Sequence, residues 1–198
     1  MRRQSRTGSP AGWILRVAGV LAATTGCAGD AYARYAAAVH DDADAAMLDA
    51  FRMTARLQLT VVHNTIPFDS LAVVTRTVKG AAEAVRERAT HFAAVTPPPD
   101  LAQPHANLSA ELTRLAQALS AMASTFERCG EAVSGGDSTG KACQAHLAAV
   151  SSQFGYVGED LRLARNRVQR FLLPHGVMLP RISRIPSESA DWPLWWAA

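Results

Sequence analysis

The sequence predicts an all-α fold, an antiparallel up-down-up-down four-helix bundle with an extended C-terminal tail. Three observations lead there. Alanine, the residue of highest intrinsic helix propensity, fills 38 of the 198 positions. From Asp30 onward apolar residues recur every three or four positions, the helical period. Three short breaks divide that pattern into four stretches: Ile66-Pro67, Pro97-Pro98-Pro99 and Ser134-Gly135-Gly136-Asp137-Ser138. Short connections place consecutive helices antiparallel. No strand-like alternation competes, and no internal repeat stands out.

The bundle is expected over residues 31–173, with helices at about 31–64, 69–95, 100–132 and 140–172. In the first stretch Tyr32, Val39, Ala43, Ala46, Ala50, Met53, Leu57 and Val61 make the best apolar stripe. The second carries Leu71, Val74, Val78, Ala81, Val85, Ala89 and Phe92, with Asp69 as a cap. The third is the most regular: Leu101, His105, Leu108, Leu112, Leu115, Leu119, Met122, Phe126 and Cys129. Its alternating steps of four and three are the seam of a bundle. Asp100 is a good N-cap, and Pro104 falls in the first turn, where backbone N–H groups lack intrahelical partners. The fourth stretch runs Cys143, Leu147, Val150, Phe154, Val157, Leu161, Ala164, Val168 and Phe171. Gly155 and Gly158 weaken it by about 1 kcal/mol each relative to Ala. Glu159, Arg162, Arg165 and Arg170 read as its solvated outer face. Leu173-Pro174-His175-Gly176 ends the helix, and a tail at 174–198 follows.

The chain carries a formal charge of +3, but its distribution removes a nucleic-acid reading. Arg2, Arg3, Arg6 and Arg16 precede every acidic residue. They form the basic region ahead of an apolar run, Val17 to Ala23, and small residues Thr24-Thr25-Gly26 before Cys27. That order is a secretory signal, and the apolar run is shorter than the roughly 20 residues that span a bilayer. A signal ending in Gly-Cys resembles the lipobox of bacterial lipoproteins, although Thr24 stands where Leu, Val or Ile is commoner. The resemblance implies a signal peptide at 1–26, acylation of Cys27 with fatty chains such as palmitate, and a lipidated linker at 27–30. A soluble secreted protein in which Cys27 is incidental, or an uncleaved anchor, remains open from the residues alone.

With Cys27 set aside, Cys129 and Cys143 are an even pair in an exported chain and read as one disulfide. Cys129 ends the third seam and Cys143 begins the fourth, so a helical hairpin brings them face to face.

No constellation for enzymatic chemistry is present. There is no G-x-S-x-G elbow and no phosphate-binding glycine loop, and Asp41-Asp42-Ala43-Asp44 lacks the glycine and distal Glu of a calcium loop. That acidic run reads as a solvated face of the first helix. The topology gathers His40, His91, His105 and His175 toward the bundle end nearest Cys27, with His63 and His146 toward the other. His40, His91 and His105 near carboxylates are a weak transition-metal or haem ligand set, without the Glu-x-x-His pairs of di-iron bundles. The functional expectation is therefore a non-enzymatic, membrane-anchored extracytoplasmic lipoprotein of the cell envelope that acts as an interaction module. The alternative is a periplasmic metal- or haem-binding four-helix bundle. Its partners would be membrane lipid through the acylated Cys27 and a protein reached through Trp192, Trp195 and Trp196. Those three rings have other destinations too, the membrane headgroups or the bundle's own open end.

Overall fold

The computed structural model describes residues 29–60, 68–134 and 141–180. Among them the chain forms four long helices and no strand. Helix α1 covers 29–60 and changes hydrogen-bonding pattern midway: α-helical at 29–38, a π-helical turn at Val39–Asp44, then α-helical over Ala45–Thr60. Helix α2 is Phe68–Ala93 and α3 is Ala102–Ser134, the latter entered through a 3-10 turn at Pro99–Leu101. Helix α4 is Lys141–Leu172 and leaves through a second 3-10 turn, Leu173–His175.

The apolar stripes meet in a single core. Val39, Val78, Phe92, Leu108, Leu112 and Val168 are completely buried in it. Each Leu or Phe withdrawn from water in this way contributes about 1.5–3 kcal/mol. Polar contacts stitch neighbouring helices outside this core. Lys79 pairs with Glu127, and Arg86 donates to the Ser120 hydroxyl at 2.9 Å, both between α2 and α3. Arg114 on α3 reaches Asp160 on α4 at 3.3 Å. Cys129 and Cys143 stand at bonding distance, with Cα atoms 5.3 Å apart.

Two stripes are displaced by one residue from the pattern read in the sequence. On α4 Leu172 is buried (0% exposed) and Phe171 is 44% exposed. On α2 Ala82 is buried, whereas Ala81 only packs against the edge of the core. On α4 the cause is the helical period. A strict 4-3 alternation repeats every 3.5 residues, and a straight helix of 3.6 drifts away from it. From Leu161 to Leu172 the buried face advances 11 residues in three turns.

Asp100 does not cap α3. It sits inside the 3-10 turn, and its carboxylate accepts a hydrogen bond from Tyr32 Oη at 2.8 Å and lies 3.3 Å from His175 Nε2. Tyr32 and His175 stack with ring centroids 3.6 Å apart. One cluster thus joins the start of α1, the entrance of α3 and the exit of α4.

The tail does not leave the helices at once. Gly176 adopts φ 73°, the left-handed conformation in which a side chain would cost energy. It turns the chain back, so that 177–180 lies against α4 and Leu179 is buried.

Candidate functional site

The π-helical turn of α1 is where the structure departs most from a plain bundle. Such turns are rare and concentrate at functional positions. Val39, Asp42, Ala43 and Asp44 are all buried here, which overturns the expectation of a solvated acidic face. Three successive helical residues sweep roughly 200°, so Asp42 and Asp44 address different neighbours. Asp42 turns to α2, where His91 Nδ1 lies 2.8 and 2.9 Å from its two oxygens. Arg88 on the same helix donates to the Asp41 carbonyl at 2.9 Å and to Asp49 at 3.0 Å.

Asp44 turns to α4 and forms a two-pronged ion pair with Arg165, with Nε to Oδ1 at 2.5 Å and Nη2 to Oδ2 at 2.8 Å. The carboxylate is 1% exposed and the Arg165 residue 8%. Arg165 therefore belongs to the inner face, contrary to the outer face read from the sequence. The same guanidinium donates to the Pro180 carbonyl at 2.6 Å. A buried charge is tolerated only when paired and hydrogen-bonded, and both conditions hold. His40 Nδ1 stands 3.6 Å from Asp44 at the edge of this pair.

Beyond the ion pair, toward higher numbers on α1 and lower numbers on α4, these two helices hardly touch. They leave an apolar groove of about 360 Å³. Met47, Ala50 and Thr54 form one wall, Phe154 and Leu161 the other, and Leu115 of α3 the floor. Gly155 and Gly158 open onto it, and a Cβ at either would meet nothing within 4 Å. These glycines, which read as simple weak points in the sequence, give the groove its width. Glu159 and Arg162 line its rim and pair at 2.8 Å. The Arg162 hydrogen bond holds the Glu159 carboxyl below its usual value.

The histidines do not converge. His40 faces Asp44, His91 faces Asp42, and His105 is enclosed between aromatic rings. Among the described residues no group of three or more His, Cys, Asp or Glu is placed to hold a metal ion. The ligand set suggested by His40, His91 and His105 is therefore not assembled: Asp44 on the same helix faces His40, Asp42 of α1 takes His91, and the rings of Tyr35 and Phe92 enclose His105.

His105 is 8% exposed. Its Nδ1 lies 3.4 Å from Tyr35 Oη, and the Phe92 ring packs 4.7 Å from its centroid. Burial lowers its pKa, partly offset by a hydrogen bond to the backbone of Ala93. Burial likewise pushes the Tyr35 hydroxyl up. A histidine with a depressed folded-state pKa takes its proton more readily in the unfolded chain. Stability therefore falls as pH drops below the unfolded value near 6.5 and is fully present above it. Urea titrations between about pH 5 and 7 should give a rising unfolding free energy in the native chain and a shallower rise in His105→Gln. Equal slopes would remove His105 from that dependence.

Cys27, Trp192, Trp195 and Trp196 lie outside the described residues. Among the described helices none is long and apolar enough to cross a membrane. The fold and the groove define an all-helical chain with a buried charge pair beside an apolar cleft. No family model, curated protein or solved structure matches it.

Arg165 had a signal in the sequence, since it stands with Leu161, Val168 and Leu172 in a 4-3-4 series. The π turn had none.

Proposed function

We propose that the protein is a lipid-anchored, extracytoplasmic helical module that works by binding rather than by catalysis. In this reading its four helices form an antiparallel up-down-up-down bundle. The order of cross-helix partners supports that topology. From Lys79 to Arg86 to Phe92 on α2, the α3 partner falls from Glu127 to Ser120 to His105. The observation that carries the location is the Cys129–Cys143 pair, held at bonding distance in a chain that opens with a basic, apolar and Gly-Cys leader. Disulfides persist in oxidising compartments, and a leader of that form directs a chain to one. The stack of Tyr32 on His175 brings the exit of α4 beside the first turn of α1, where Tyr32 stands five residues after Cys27. The proposed acyl anchor and the root of the tail then share one end.

Expression of the full chain in a bacterial host with labelled palmitate tests the anchor. Label is expected in the native protein, which should partition into detergent, and none in Cys27→Ser. A native protein that stays membrane-bound at full length and carries no label would replace this reading with an uncleaved anchor. An unlabelled, freely soluble native protein would replace it with secretion.

A further inference from the structure

The end of the helices where α1 begins and α4 leaves carries apolar side chains that the core does not take. Phe171 and Leu173 are 44% and 50% exposed, and Met178 is 73% exposed. Val73, Tyr156 and Leu163, the other large apolar side chains exposed among the described residues, stand singly along α2 and α4. Scattered apolar residues of that kind are ordinary.

The backbone gathers the first three at one level. The Val177 N–H donates to the Leu172 carbonyl at 3.3 Å, and the Leu179 N–H donates to Gln169 Oε1 at 2.6 Å. Met178 is therefore level with residues 169–172, beside Phe171 and Leu173. Val177 and Leu179 on either side of it pack on the core, so Met178 points outward. Helical spacing puts Phe171 and Leu173 roughly 200° apart around the exit of α4. A partner seated along the helix would cover one of those flanks, whereas a flat surface meeting the helix end covers both.

Charge and chain length name that surface. Arg34 on α1 and Arg167 and Arg170 on α4 are exposed, and none has a salt-bridge partner among the described residues. Of the acidic residues nearest the Tyr32–His175 stack, Asp30 is exposed and Asp100 is engaged by both rings. The unpaired positive charge suits anionic lipid headgroups. Gly29 opens α1, and the two residue steps from Cys27 to Gly29 span at most about 7 Å. An acyl group on Cys27 would therefore hold this end close to the bilayer.

We infer that Phe171, Leu173 and Met178 form a lipid-contact surface that seats the helices end-on on an anionic membrane, with Arg34, Arg167 and Arg170 among the headgroups. This contact, which rests on the acyl anchor proposed above, is a second attachment made by the folded part of the chain. It is peripheral, with apolar side chains reaching the boundary between headgroups and acyl chains.

The test uses the full chain on vesicles of phosphatidylethanolamine and phosphatidylglycerol. Leu173→Cys, Met178→Cys and Val73→Cys are each labelled at the new thiol with a nitrobenzoxadiazole fluorophore. Val73 is the reference, roughly 28 Å along α2 from Phe92, whose ring meets Tyr35 of α1. Phospholipid brominated on its acyl chains should lower emission at 173 and 178 at least about twofold and leave 73 unchanged. Adding Arg167→Glu and Arg170→Glu to Met178→Cys should weaken that quenching. Quenching indifferent to those charges would overturn the role given to the arginines. Flotation with the vesicles reads the anchor, and quenching reads the contact. Protein that floats with no quenching at 173 and 178, or with equal quenching at all three sites, overturns the contact and leaves the anchor. Protein that does not float overturns the anchor, and this contact with it.

Discussion

Replacing Arg165 with Met is expected to destabilise the folded chain by about 3–5 kcal/mol, the usual consequence of leaving one member of a buried ion pair unpartnered. Asp44 would keep a carboxylate that is 1% exposed, with His40 at 3.6 Å as its remaining charged neighbour among the described residues. The Pro180 carbonyl would also lose its donor. Asp44→Asn should cost less, because a neutral amide still offers an oxygen to the guanidinium, although Arg165 then stays charged and buried. The informative variant is the double one. Asp44→Leu combined with Arg165→Met removes both charges and keeps apolar volume, and such exchanges are often neutral or stabilising. Urea denaturation of Asp44→Leu, of Arg165→Met and of the double forms a cycle whose coupling energy isolates the pair. Additive losses would mean that the two side chains do not support each other.

The pair also shows where sequence reading works and where it stops. The four helices are legible because their stripes are long and periodic, and α3 is the clearest, with Leu101 through Cys129 all buried. The displaced stripe at Leu172 follows from fitting a 3.5-residue repeat to a helix with 3.6 residues per turn. The misplacement of Asp42, Asp44 and Arg165 has another origin. Charge is a reliable sign of exposure only while a residue lacks a buried partner, and partners 121 positions apart are invisible to any local window. A π turn adds to this, because it rearranges which residues of α1 face inward without a composition that announces it. The groove was illegible for a similar reason. It arises from the poor contact of α1 with α4, a property of two helices together. Only Gly155 and Gly158 hinted at it, and a glycine in a helix reads first as a weak point.

Loss of the Cys129–Cys143 link is the second large effect expected. The two cysteines are 14 positions apart, and closing a loop of that size stabilises by about 3 kcal/mol in the chain-entropy model. The Cys129→Ser/Cys143→Ser variant should therefore melt well below the native protein. Its helix content should stay close to native, because Leu115, Leu119 and Met122 on α3 remain buried in the core without help from the sulfurs. The loss should concentrate at the α3–α4 turn, which opens more often once the link is gone, so amides near Cys129 should exchange faster than those near Leu108. Reductant separates the link from the serines themselves. If the disulfide carries the effect, reduced native protein should melt with the variant, and added reductant should leave the variant unchanged. If both cysteines in oxidised native protein react fully with a thiol reagent, the link is not formed. The argument from oxidising compartment to extracytoplasmic location would then lose its support as well.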